Sequence, residues 1–181
     1  MSQSIPPSAP VTYLMENENE AERLEAKTER DVSERLLRMV GLEPGMSAAD
    51  AGAGSGAVAR VMSEIVTRSG RVVALDQSEA RLEFGRKLAR QAGLENLSFV
   101  RANLEHRLPE GPYDLIWSRF VFEYLRDPEL VLANMIEATR IGGKVVVGDL
   151  DGNASFHYPM PPAIESGLAR VLEVTRGQFD P

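Results

Sequence analysis

The sequence predicts an α/β fold, a mainly parallel sheet of about five strands with helices on both faces. Three observations carry this expectation. Short apolar runs at 71–75, 97–101, 114–117 and 144–148 alternate with longer segments of helical periodicity. Glycine-bearing turns at Ser69-Gly70, Gly93 and Gly142-Gly143 punctuate them. The stretch Asp50-Ala51-Gly52-Ala53-Gly54-Ser55-Gly56 then places glycines at alternate positions. A backbone of that kind turns tightly and leaves room for a ligand against it, because glycine enters positive-φ conformations at little cost.

The elements follow in order. Residues 16–40 are dense in Glu, Arg, Leu and Ala, and Leu24, Val32, Leu36, Leu37, Met39 and Val40 recur at roughly helical spacing. The pattern predicts two helices or one kinked helix, ended by Gly41 and Pro44-Gly45. A first strand is expected within 46–51; Ala48 and Ala49 are weak strand formers, but the glycine loop needs a strand to launch it. A helix is expected over 57–66 and a second strand over 71–75. Ser78 can cap a helix over 79–91 that Gly93 ends. Strands three and four are expected at 97–101 and 114–117. Pro128 suits the first turn of a helix ending near Arg140. Gly142-Gly143 then turns into strand five, 144–148, and a last helix is expected over 163–175.

With 181 residues, the chain is long enough for one domain with a substantial core. Its 43% hydrophobic and 26% charged residues are ordinary for a globular protein. The net charge of −7 gives no overall attraction to nucleic acid phosphates. Arg81, Arg86, Lys87 and Arg90 share one predicted helix, but Glu79 and Glu83 lie among them, and the set reads as a solvated helix face. The absence of cysteine excludes disulfides, thiolate metal sites and cysteine nucleophiles. No apolar run is long enough to cross a bilayer. Residues 1–12 read as a disordered leader, and a cytoplasmic protein is the expectation.

An acid, Asp76, closes strand two, where it can accept hydrogen bonds from a ribose diol. The glycine loop also satisfies the dinucleotide pattern through Gly52, Gly54 and Ala57, so it does not by itself name the nucleoside. Asp50 tips the balance. A pyrophosphate wants N–H donors and a helix N-terminus, and an extra carboxylate beside it is unhelpful. A cofactor carrying an ammonium and a sulfonium cation has the opposite requirement.

Taken together, the chain resembles the class I S-adenosylmethionine-dependent methyltransferases over about residues 13–150. Asp50 to Gly56, with Gly52, Ala53 and Gly54 between, resembles the motif that wraps the methionine and ribose portions of S-adenosylmethionine. Asp76 and the adjoining Gln77 match the ribose-binding position, and Asn103-Leu104 matches the adenine-contacting segment, with Asn where Asp is commoner. Tyr113 to Ser118 resembles the motif through strand four, which puts Ser118 and Arg119 where that strand opens onto the cofactor. The turn before strand five, Arg140-Ile141-Gly142-Gly143, lacks the family's proline. The resemblance implies a Rossmann-like, doubly wound core over 46–150. Tyr13 and Glu20-Ala21-Glu22-Arg23-Leu24 are similar to the N-terminal helical cover of small-molecule methyltransferases, which implies a cover over 13–45. A plain surface helix, with Arg23 paired to Glu20, fits those residues equally well.

The family's sheet has seven strands, the last two forming a hairpin. Only 149–181 follow strand five, so the strand 6–7 hairpin is expected to be missing, with 151–181 a loop plus helix and the chain either an N-terminal portion of a longer methyltransferase or a natural short form completed by a partner chain. An unpaired strand-five edge offers a surface for self-association.

Methyl transfer is a displacement at carbon, so the protein mainly aligns the acceptor and excludes water. Where the acceptor carries a proton, Glu123, Asp149, Asp151 and His157 are candidate bases, with Tyr13 and Tyr124 as orienting hydroxyls. Asp149 and Asp151 with His157 suggest a divalent cation, but alternate residues of an extended segment face opposite ways, and no metal is expected. No Asn/Asp-Pro-Pro-aromatic motif for base methylation follows strand four. The expected partner is a small-molecule acceptor, with neither nucleic acid nor membrane. Two other functions stand open, a cofactor-binding regulatory domain without catalysis and a NAD-dependent oxidoreductase.

Overall fold

A computed structural model of the chain describes residues 23, 25, 28–149 and 160–175. Its elements are α1 (Arg30–Met39), β1 (Ser47–Ala51), α2 (Ala57–Val66), β2 (Arg71–Asp76), α3 (Glu79–Gln91), β3 (Leu97–Arg101), β4 (Tyr113–Arg119), a 3-10 turn (Phe122–Tyr124), α4 (Pro128–Glu137), β5 (Thr139–Gly148) and α5 (Pro162–Thr175). Arg23 and Glu25 are also helical. The sheet order is β3-β2-β1-β4-β5 and every pairing is parallel. This is the predicted α/β fold, and its strand order reverses between β1 and β4. In open sheets of this kind, a crevice opens outside the carboxyl ends of the strands at that point.

Alternate strand residues feed two cores. Leu37, Ala48, Met62, Val72, Leu82, Phe99, Leu115 and Trp117 pack on one face of the sheet. Ala49, Ala51, Val73, Leu75, Tyr113, Ile116, Val131 and Met135 pack on the other. The weak-looking strand β1 is therefore the most central. Ala48, Ala49 and Ala51 are fully buried between β2 and β4, where burial on both faces overrides strand propensity.

Two local expectations need correction. The helix expected to end near Arg140 stops at Glu137, and strand five begins at Thr139, before the diglycine. Asp127 caps that helix, its Oδ1 accepting from the Leu130 N–H at 2.9 Å, with Pro128 in the first turn. Thr139 already pairs with Tyr113, and the next pairing is Lys144 with Leu115, so 140–143 bulge out between them. Gly142 carries the bulge at φ +80°, and a Cβ on Gly143 would stand 2.9 Å from the Asp114 carbonyl oxygen. An ion pair between Arg140 and Asp114 holds it. The diglycine thus interrupts a strand rather than starting one. Among the described residues the far edge of β5 is unpaired, and Ile141 on it is fully exposed.

The second correction concerns Arg81, expected on a solvated face. It is 7% exposed and ion-paired to Asp76. Gly85, one turn later, lets α3 lie against the glycine loop. A Cβ there would collide with the Ser55 carbonyl oxygen and stand 2.5 Å from Phe99 Cε1. Helix propensity alone gives Gly→Ala about 1 kcal/mol of stabilisation. Gly85→Ala is expected instead to destabilise by about 1–3 kcal/mol, the cost of overpacking, measured by urea denaturation. No helix among the described residues is long and apolar enough to cross a membrane.

Candidate functional site

The carboxyl ends of β1, β2 and β4 meet at the strand-order reversal. After β1 the chain passes through Gly52 (φ +80°), Gly54 (φ +56°) and Gly56 (φ +72°), all left-handed. The Gly52 and Ala53 N–H groups both donate to the Leu75 carbonyl, at 2.8 and 2.9 Å, which ties the loop to the end of β2. Gly56 then opens α2, and a Cβ on it would stand 2.5 Å from Phe99 Cε1. A Cβ on Gly52 would collide with Val121.

Asp50 lies in register with Ala74 on one side and Trp117 on the other. It is 4% exposed, and its Oδ2 has no hydrogen-bond partner in the structure. Burial pushes its carboxyl up to about 7; Arg119 pulls it down, Asp76 raises it further, and the Ala59 backbone N–H lowers it. Trp117 Nε1, on the same sheet face, is likewise buried and unpartnered. A buried acceptor and a buried donor thus stand unpartnered on neighbouring strands, which is rare enough in a folded protein to call for an explanation. The Ser118 hydroxyl donates to the Ala51 carbonyl at 2.9 Å and so joins the two strand ends.

Asp76 is 7% exposed and accepts four hydrogen bonds. Its Oδ2 takes the Gly54 N–H at 2.8 Å. Its Oδ1 takes the Ser78 N–H at 2.9 Å, Arg81 Nε at 3.2 Å and Arg81 Nη2 at 2.9 Å. Gln77 is exposed, and its carbonyl accepts from Arg101 Nε at 3.1 Å. Asn103 is exposed after β3, and its Oδ1 shapes a turn by accepting from the Glu105 N–H at 3.0 Å. Leu104 is buried, and its carbonyl takes Asn134 Nδ2 at 2.9 Å.

Beyond β4, Phe120 has φ +57°, costly for a bulky residue, and is half exposed. Arg119 lies over its ring at 5.1 Å. Asp149 Oδ2 accepts the Val121 and Phe122 N–H groups at 3.0 and 2.7 Å, so this candidate base holds the start of the 3-10 turn. Glu123 is 8% exposed, and its Oε2 has no partner in the structure. Burial pushes Glu123 up, a hydrogen bond with Tyr124 pulls it down, and Asp149 raises it. Asp151, His157 and Tyr13 lie outside the described residues. Among the described residues, no cluster of three or more His, Cys, Asp or Glu side chains could hold a metal.

Sequence reasoning missed three contributors. Arg81 and Gly85 are two. The third is Glu25, which ion-pairs with Arg60 and accepts from the Ser55 hydroxyl at 3.3 Å, while Arg60 Nη1 donates to the Ser55 carbonyl at 3.2 Å. Glu25 thereby touches the glycine loop. Two cavities, of about 440 and 180 Å³, lie at the opposite, amino-terminal edge of the sheet, near Leu108, Pro109 and Ala138 and near Arg71 and Asn96.

A family model described as a methyltransferase domain matches residues 42–176. The chain belongs to the class I S-adenosylmethionine-dependent methyltransferase family. The matched region of this methyltransferase family member takes in the glycine loop, Asp76, Asn103, Ser118 and Asp149. It is 34% identical to the malonyl-[acyl-carrier protein] O-methyltransferase of Serratia marcescens over 126 residues, 69% of this chain and 46% of that one. It is 29% identical to the ubiquinone/menaquinone biosynthesis C-methyltransferase UbiE of Shewanella halifaxensis over 113 residues, 61% of this chain and 45% of that one. The chain thus spans about half the length of these curated relatives. The crystal structure of a SAM dependent methyltransferase from Aquifex aeolicus shares the fold, with TM-score 0.64 and 22% identity over 86% of each chain.

Proposed function

We propose that this chain binds S-adenosylmethionine across the carboxyl edge of β1, β2 and β4, and that the protein transfers its methyl group to a small organic acceptor. The observation that carries this reading is the buried Asp50 carboxyl, whose Oδ2 is unpartnered while Arg119 and Trp117 stand close by. An acid and a guanidinium beside one glycine loop suit an amino-acid zwitterion, ammonium toward Asp50 and carboxylate toward Arg119. A nicotinamide dinucleotide would instead bring its anionic pyrophosphate to the glycine loop, beside the Asp50 carboxyl.

In this reading Gly52, Ala53, Gly54 and Gly56 present backbone to the methionine and ribose portions, Asp76 and Gln77 take the ribose, and Asn103 and Leu104 line the adenine. Ser118 braces the crevice floor through Ala51. Residues 46–150 form the binding core and 13–45 cover it, a role supported by Glu25 at Ser55 and Arg60. When bound, the cofactor supplies a methyl group on a sulfonium, which leaves by in-line displacement. The protein's part is to place the acceptor, exclude water and hold its proton. Glu123 suits the last task better than Asp149. Its buried carboxyl is raised and its Oε2 open, whereas Asp149 is occupied by two backbone N–H groups.

The net charge of −7 supports a small acceptor over an RNA. Incubation of the purified protein with methyl-labelled S-adenosylmethionine and a panel of organic acids, amines and phenols tests this. Label is expected in a small organic product; label appearing only in added RNA or protein would overturn the small-acceptor reading.

A further inference from the structure

We propose that Arg81 is a positioning residue for ribose recognition: it fixes the plane of the Asp76 carboxylate so that Oδ2 stays turned toward the glycine loop, open to one ribose hydroxyl. The inference rests on the cofactor reading above. Its basis is the unequal division of donors. Oδ1 takes three, from the Ser78 N–H and from Nε and Nη2 of Arg81, whereas Oδ2 takes only the Gly54 N–H. A carboxylate oxygen has two lone-pair sites, so Oδ1 is filled and Oδ2 keeps one. The torsion that sets this plane is soft, because rotation about an sp³–sp² bond is broad. Without Arg81, one backbone N–H would remain on the Oδ1 side.

The placement of Arg81 also calls for a reason outside its own helix. It sits in the first turn of α3, where the macrodipole disfavours a cation. Both partners of the pair are 8% exposed in their side chains, so both charges are desolvated. Two apolar residues would fill such a site without that penalty, and buried pairs are seldom more stable than apolar replacement of both partners. What the guanidinium adds is direction, through its rigid fork of donors.

The test is calorimetry on the full chain with S-adenosylhomocysteine and with its 2′,3′-dideoxy analogue. Wild type should prefer the diol by about 10-fold or more, the worth of a hydrogen bond to a charged group. Arg81→Met should lose most of that preference while binding the dideoxy analogue as wild type does. Arg81→Lys, charged but without the fork, should fall between. Equal losses for both ligands, or a full preference kept in Arg81→Met, would overturn the proposal. If Arg81→Met fails to unfold cooperatively, Arg81→Lys decides: a reduced preference supports the proposal and an unchanged one overturns it. A wild type that binds both ligands equally leaves the cofactor reading standing and overturns this one. Binding of neither overturns both.

Discussion

Asp76→Ala is expected to cost about 3–5 kcal/mol of folding stability and to remove binding of S-adenosylhomocysteine, because it breaks a buried ion pair from one side. The Asp76–Arg81 pair is 2.9 Å apart and nearly sealed from water. The same carboxylate also accepts from Gly54 in the glycine loop and from Ser78 at the start of α3. Removing it therefore releases the loop and the helix start together. A urea denaturation midpoint reads the loss. The exposed Arg68–Glu95 pair, 3.7 Å apart, is the control, and Glu95→Ala should leave the midpoint in place. Equal midpoints for the two variants would show that the buried pair does not hold the site.

The second large effect is expected at Asp50, where stability and binding should move in opposite directions. Burial pushes this carboxyl from 3.8 to about 7 in the folded chain. The folded state then holds the proton more tightly than the unfolded chain does, and stability falls as pH rises from about 4 through about 7. Asp50→Asn keeps the shape and removes the titration. The variant should equal or exceed wild type at pH 8 and lose that advantage toward pH 4, with a swing of about 1–3 kcal/mol. Its affinity for S-adenosylhomocysteine should drop by about 10-fold or more, since the ammonium loses its anionic partner. Unfolding curves at pH 5 and pH 8 check the sign. If the two proteins differ by the same amount at both values, the Asp50 carboxyl is not desolvated as described.

The strands and the glycine loop were legible because both rest on local rules. β2, β3, α2 and α3 were expected within a residue of their limits, from apolar period, the Ser78 cap and Gly93. The glycine loop announced itself through conformations that only glycine adopts freely. Less legible were features decided by tertiary contact. The bulge at 140–143 depends on pairing with Tyr113 and Leu115 in another strand, so Gly142-Gly143 looked like a plain turn. Arg81 lies among charged residues of one helix, and only its approach to Asp76 reveals that it is buried. A signal was nevertheless present, a cation in the first turn of a helix just after the strand-ending acid. Asp149 looked like a candidate base, and its bonds to the Val121 and Phe122 N–H groups appear only once β4 and β5 lie side by side. The acceptor side was least legible, because no spacing among Glu123, Asp149, Asp151 and His157 singles out one base.

Titration calorimetry of the wild-type chain with S-adenosylhomocysteine, and in parallel with NAD, bears most directly on what this crevice holds. Saturable 1:1 binding of S-adenosylhomocysteine, weakened in Asp50→Asn and absent in Asp76→Ala, with no heat from NAD, is the expected result. Binding of NAD in preference, or S-adenosylhomocysteine binding that ignores both substitutions, would contradict it.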